Sequence, residues 1–184
     1  SINTSATIRL AEAASDMGVK HFIFISSVKV NGEGGLVHKP YKHSDSVEPQ
    51  GDYAESKAEA ERLLMELAER SDLTISIIRP PLVYGPGVKA NFAALMKLSR
   101  FLPAFPADSN SGRRSLVSIW NLCDLIKTLI NFGPKKSAVY LVSDDSDCCT
   151  YELLQFMAIA HKRNIVGLPI PLSFLRVALS LIGK

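Results

Sequence analysis

The sequence predicts an α/β fold built on a parallel sheet, and three observations carry that prediction. Phe22-Ile23-Phe24-Ile25 is a short unbroken apolar run ending in Ser26-Ser27, the form of a strand buried on both faces that delivers polar groups at its C-terminal edge. Leu73 to Arg79 is a second such run, stopped by Pro80-Pro81. Between them Asp52 to Arg70 repeats its apolar residues at helical spacing, so strand, helix and strand come in the order that parallel pairing needs.

Ser1 to Met17 reads as a helix: Ile2, Ala6, Ile8, Leu10, Ala13, Ala14 and Met17 make a broad apolar surface, and Gly18 is a natural stop. Val28 to Gly51 reads as a loop, broken by Pro40 and Pro49 and rich in Ser, Asp and Lys; loops this long inside compact domains are commonly functional. His38 and His43 fall here and read as solvated loop histidines. In the helix from Asp52, Ala58, Ala60, Leu63, Leu64, Leu67 and Ala68 face inward, with Glu and Lys outside. Beyond Gly87, Asn91–Phe101 reads as a helix, Leu102–Pro106 as an irregular turn and Arg113–Ile119 as a short strand. Trp120–Phe132 reads as a helix, Ala138–Val142 as a strand, and Thr150–Lys162 as a helix capped by Thr150 with Glu152 in its first turn. The tail Ile165–Lys184 is apolar, but its stretch after Pro171 is too short to span a bilayer, so it is expected to pack as a helix and no membrane association is expected.

Composition narrows the function classes. A chain of 184 residues that is 47% hydrophobic and 21% charged holds a sizeable core and reads by length as one domain. A net charge of +3, spread along the chain, gives no reason to expect a nucleic-acid partner. Cys123, Cys148 and Cys149 show no CxxC spacing; they read as packing residues with reduced thiols, which fits a cytoplasmic compartment, and no metal site is expected.

The residues that carry chemistry lie at the front of the Asp52–Arg70 helix, in Tyr53-Ala54-Glu55-Ser56-Lys57. Positions four apart project from one helix face, so both side chains can serve one pocket. A free phenol, with a pKa of about 10, is a poor base at neutral pH. An ammonium one turn along stabilises its anion and makes the pair an acid/base device.

A strand ending in Ser27, a long loop, the Tyr53/Lys57 helix, a strand and the loop Arg79-Pro80-Pro81-Leu82-Val83-Tyr84-Gly85-Pro86-Gly87 appear in that order. This arrangement over residues 1–87 resembles the extended short-chain dehydrogenase/reductases, the NAD-dependent epimerase/dehydratase family. Within it, the sequence is most similar to UDP-sugar 4-epimerases and 4-keto-sugar reductases. The resemblance implies that residues 1–87 are the second half of an NAD(P)-binding Rossmann domain. Residues 88–184 would then be mainly a small mixed α/β substrate-binding lobe, with one segment returning to the sheet. It implies Tyr53 as acid/base in hydride transfer at a sugar hydroxyl, Lys57 supporting it and binding the nicotinamide ribose, and Ser27 bonding the reacting oxygen. Asn3 and Pro80 fall on the cofactor side, Asn91 and Arg114 on the UDP-sugar side, Arg114 holding the diphosphate. It also implies a homodimer through helices 3–17 and 52–70. The resemblance implies NAD as cofactor, with NADP open because the discriminating residue is not in the sequence.

The sequence departs from the family pattern in three ways. No GxxGxxG turn of the kind that brings backbone to a pyrophosphate occurs, and the chain is expected to be truncated at both ends. Val28-Lys29 stands where sugar 4,6-dehydratases carry Asp-Glu, which disfavours dehydration. Asn31 stands before Gly32 where epimerases often show Tyr, which leaves 4-epimerisation and 4-keto reduction both open. Two other readings remain: a dihydroflavonol- or 3β-hydroxysteroid-type dehydrogenase, against which Arg114 speaks, and a non-catalytic fragment lacking the cofactor half.

Overall fold

The computed structural model describes residues 2–32, 40–88, 90–107 and 112–170. The chain forms two compact units, residues 1–83 with 117–144 and residues 84–116 with 145–184.

The first unit is a three-layer sandwich. Strands β1 (His21–Ile25), β2 (Thr74–Arg79) and β6 (Ala138–Leu141) form a parallel sheet in the order β1-β2-β6. Alternate side chains of each strand point to opposite faces. Phe22, Phe24, Ile75, Ile77 and Val139 pack with Ala11 of α1 (Ile2–Asp16) and with Ala60, Leu64 and Leu67 of α2 (Gly51–Glu69). On the other face Ile23, Ile78 and Tyr140 pack with Leu122, Leu125, Ile126 and Leu129 of α4 (Ile119–Phe132). Leu64, Ile75, Ile77 and Ile78 are wholly buried, and each such side chain stabilises the unit by about 1.5–3 kcal/mol. The helix α2 forms because Ala54, Ala60, Leu64 and Leu67 recur on one face while Glu59 and Glu66 pair with Arg62 on the other. Thr4 of α1 ties the two helices together, its Oγ1 donating to the Ser56 carbonyl at 3.0 Å.

In the second unit β4 (Ala104–Pro106) runs parallel to β7 (Val166–Leu168). The helices α3 (Ala90–Ser99) and α5 (Thr150–Ala160) pack around Leu154, Ala158 and Ile165, with Leu95, Leu102, Phe105 and Tyr151 beside them. Strand β3 (Leu82–Tyr84) pairs with β5 (Leu116–Ser118), and the chain passes from one unit to the other within each.

Several local expectations need correction. The irregular turn at Leu102–Pro106 contains β4, because Val166–Leu168 supplies its ladder; that same stretch of the tail is a strand and not helix. Residues 171–184, expected as a packed helix, lie outside the described residues, as does His38. The strand expected over Arg113–Ile119 keeps only Leu116–Ser118, and Arg114 instead bridges Cys148 in antiparallel fashion. The helix α5 is capped by Cys149, not Thr150: the Glu152 N–H points to Cys149 Sγ and Glu152 Oε2 accepts the Cys149 N–H at 2.9 Å, a capping box with a thiol in the serine position. The loop after Ser27 opens with a 3-10 turn, Val28–Asn31, and the proline-glycine loop after Arg79 contains β3. Cys148 and Cys149 are buried while Cys123 is exposed. No helix of the described residues is long and apolar enough to cross a membrane.

One partly buried polar pair makes stability depend on pH. His21, at the start of β1, shares a 2.9 Å hydrogen bond between Nε2 and Ser76 Oγ, and Ser76 is wholly buried. Burial lowers the His21 pKa from 6.5, so the unfolded chain takes up a proton before the folded one as pH falls. The stabilisation is therefore full above about pH 6.5 and is lost below it. Thermal unfolding across pH 5 to 8 is expected to show the melting temperature falling below about pH 6.5, and His21→Gln is expected to flatten that slope.

Candidate active site

The polar groups gather where β1 and β2 end. Past Ile25 the chain keeps pairing beside β2: Ser26 N–H donates to the Ile78 carbonyl at 2.7 Å and Val28 N–H to the Pro80 carbonyl at 3.0 Å. Ser27 thereby emerges at the carboxyl edge of the sheet, where open α/β sheets take their ligands. Its Oγ accepts the Lys29 N–H at 3.3 Å and caps the 3-10 turn, which leaves the hydroxyl proton to be donated elsewhere. Neighbouring Ser26 is buried, and its Oγ has no partner among the described residues. Gly32 closes the turn at φ 123°, with Glu48 O and Tyr41 Oη both 3.3 Å from where a Cβ would stand; only glycine fits there without strain.

The helix α2 brings Lys57 to the same edge. Its Nζ donates to the Ile25 carbonyl at 2.9 Å and stands 4.5 Å from the centroid of the Phe24 ring. Desolvation lowers the Lys57 pKa below the ordinary lysine value, and the Glu61 carboxylate one turn along raises it by less. Of the three ammonium donors, one is taken by Ile25, and two are uncommitted among the described residues. Tyr53, one turn earlier, is 54% exposed. Among the described residues no hydrogen bond joins the side chains of Ser27, Tyr53 and Lys57: Ser27 Oγ accepts from the Lys29 N–H, Lys57 donates to the Ile25 carbonyl, and the Ser56 hydroxyl donates to the backbone carbonyl of Tyr53. Pro80 is buried just past the end of β2, its carbonyl accepting from the Val28 N–H. Asn3 lies in α1, Asn91 in α3 of the second unit, and the side chains of both fall outside the description.

Arg113 and Arg114 belong to the second unit and differ in employment. Arg113 donates to Glu152 Oε1 at 3.1 Å and to the Asp147 carbonyl, whereas Arg114 uses its backbone to bridge Cys148 and leaves its side chain exposed. No group of three or more His, Cys, Asp or Glu side chains that could hold a metal ion occurs among the described residues.

Sequence reasoning missed a buried network beneath the site. Arg79 Nε donates to Glu61 Oε1 at 3.0 Å and Oε2 at 3.1 Å, Nη2 to Oε2 at 2.6 Å, and Nη1 to Asn31 Oδ1 at 3.1 Å. The available signals were an arginine ending an apolar strand and a glutamate four residues after Lys57, on the face otherwise filled by leucine and alanine.

The sequence profile of the NAD dependent epimerase/dehydratase family matches residues 1–135. The chain belongs to that family. This epimerase/dehydratase chain is 48% identical to a UDP-glucose 4-epimerase of Vibrio cholerae over all 184 residues, spanning 56% of that protein. It is 33% identical over 109 residues to a 3beta-hydroxysteroid-dehydrogenase/decarboxylase (isoform 2) of Arabidopsis thaliana, covering 54% of this chain and 18% of that one. Among solved structures, MoeE5 in complex with UDP-glucose and NAD superposes with a TM-score of 0.75 at 23% identity, over 90% of this chain and 56% of that one. The fold is thus of the Rossmann type. The chain spans about half the length of the relatives that match it throughout.

The placement of Lys57 predicts its titration. When lysine side-chain NMR signals are recorded over pH, Lys57 is expected to lose its proton below the range of the exposed lysines, because desolvation outweighs the attraction of Glu61. A midpoint among the other lysines would mean that the amine is not held against β1.

Proposed function

We propose that the protein carrying this chain is an NAD-dependent UDP-sugar 4-epimerase, acting on a UDP-hexose or UDP-N-acetylhexosamine. Reduction of the corresponding 4-keto sugar is the nearest variant of the same chemistry. One observation carries the reading: the Lys57 ammonium is fixed to the end of β1 one helical turn from an exposed Tyr53, at the sheet edge where Ser27 emerges with a hydroxyl proton to donate. The identity of 48% with a UDP-glucose 4-epimerase runs the length of the chain, whereas the likeness to a hydroxysteroid dehydrogenase covers 54% of it. That contrast favours the sugar.

The residues fit a nicotinamide dinucleotide: the two uncommitted N–H donors of Lys57 suit the paired hydroxyls of a ribose. Asn3 and Pro80 would lie on the cofactor side. Bound NAD supplies the redox partner for the sugar's C4 carbon. Tyr53, as a phenolate stabilised by the Lys57 ammonium, takes the proton from the 4-hydroxyl and later returns it. Ser27 donates its O–H to that oxygen as charge develops there, which favours the transition state over the ground state. Arg114 offers a guanidinium fork to the diphosphate, a role Arg113 is less free to take because Glu152 and Asp147 hold it. Asn91 belongs to the sugar side. The same reading carries a homodimer through α1 and α2, and exposed Leu10 and Met17 on and just beyond α1 support it.

In the whole protein, Tyr53→Phe is expected to lower kcat by about 10²–10⁴ with cofactor affinity little changed; steady-state turnover of UDP-glucose together with an NAD titration checks both, and retained turnover removes Tyr53 from its role. Arg114→Ala is expected to raise KM for UDP-sugars by about tenfold or more while kcat and melting temperature hold. Unfolding by that substitution would mark the arginine as structural.

A further inference from the structure

We infer that the buried fork of Arg79, Glu61 and Asn31 is the positioning element of the active site, holding the three segments that carry Ser27, Lys57 and Pro80 in one fixed arrangement. The inference rests on the catalytic reading proposed for Ser27, Tyr53 and Lys57.

Each member of the fork lies one turn or one residue from a site residue. Asn31 ends the 3-10 turn that Ser27 caps. Glu61 lies one turn beyond Lys57 on the same face of α2. Arg79 is the last residue of β2 and precedes Pro80, whose carbonyl holds Val28. All three side chains are buried, at 3%, 5% and 4% exposure for Asn31, Glu61 and Arg79, so none of them touches substrate. They act through their neighbours.

The chemistry of the fork suits that task better than it suits stability. A buried ion pair gains little over apolar residues of the same volume, because desolvation offsets the attraction. Asn31 Nδ2 is left without a partner among the described residues, a further cost that an apolar side chain would avoid. What the guanidinium provides is direction: its donors lie in one plane at fixed angles. Three bonds to one carboxylate and one to the Asn31 amide therefore fix α2, the turn and the end of β2 relative to one another. The Glu61 charge also reaches Lys57 and offsets part of the desolvation that lowers its pKa.

The test uses three variants of the whole protein. Arg79→Lys keeps the charge and loses the fork. Asn31→Ala cuts one arm. Glu61→Leu with Arg79→Met removes both charges so that neither is left buried alone. Amide hydrogen exchange at Val28, Val30 and Gly32 is read against Ile75 and Ile77, alongside kcat and KM for UDP-glucose. The expected result is exchange about tenfold faster in the turn but unchanged in β2, with kcat lower by about 10–10² and KM within about twofold of the parent. Turn exchange at the parental rate, or parental kcat, overturns the inference even if the melting temperature falls. Should the double variant not fold, the other two decide. Tyr53→Phe, run in parallel, separates the two claims. If it is inactive and the fork variants are active, only the positioning role falls; if it keeps full turnover, the catalytic reading falls and takes the fork's role with it.

Discussion

Parallel pairing of β1 with β2 is the constraint on which the site depends. Ile25 stands opposite Ile78 and both strands run the same way, so no hairpin can join them; the chain must return to the starting edge by a crossover. The helix α2 is that crossover. Because it begins where β1 has delivered the chain, its first two turns lie at the carboxyl edge, and its later turns lie over the sheet. Tyr53 and Lys57 occupy those first two turns, and Lys57 reaches the Ile25 carbonyl at 2.9 Å. Leu64 and Leu67 occupy the later ones and are buried. One topological requirement thus separates the end of the helix proposed to carry the chemistry from its structural end.

Three sets of polar groups inside the first unit have distinct partners. His21 and Ser76 satisfy one another at one end of the sheet. Arg79 and Glu61 neutralise one another at the other end and engage Asn31. Lys57 is the intermediate case, half-buried over an aromatic ring with one donor committed. A cation in that position is desolvated enough to interact strongly with a neighbouring anion and open enough to meet a ligand. The second unit shows a parallel economy at α5, where Glu152 serves both the capping box with Cys149 and the ion pair with Arg113.

The first unit was legible in the sequence because its signals are local. Two apolar runs and one helical stripe suffice to predict β1, α2 and β2, and the spacing of Tyr53 and Lys57 alone puts them on one face. Less of the second unit could be read, because its decisive contacts are remote. The strand at Ala104–Pro106 exists through pairing with Val166–Leu168, and three residues without a partner in view read as a turn. The cap at Cys149 was hidden by residue type, since thiols rarely stand in for hydroxyls. The fork was hidden by geometry: Arg79 at a strand end and Glu61 on an apolar helix face are separate signals, and only the fold brings them and Asn31 within hydrogen-bond distance. The family resemblance pointed to Ser27 ahead of Ser26, counting back from Gly32 to where the family's catalytic Ser or Thr stands, and the structure gives the two different surroundings, Ser27 capping the turn and Ser26 buried.

The central claim is that this edge of the sheet serves reversible chemistry at a sugar's C4 in the protein that carries the chain. The most direct measurement monitors UDP-glucose by proton NMR in the presence of the whole protein and a catalytic amount of NAD. The account predicts conversion to the C4 epimer with NAD unchanged in amount at the end. Sugar recovered without inversion at C4, or NADH accumulating in step with the sugar consumed, would contradict it.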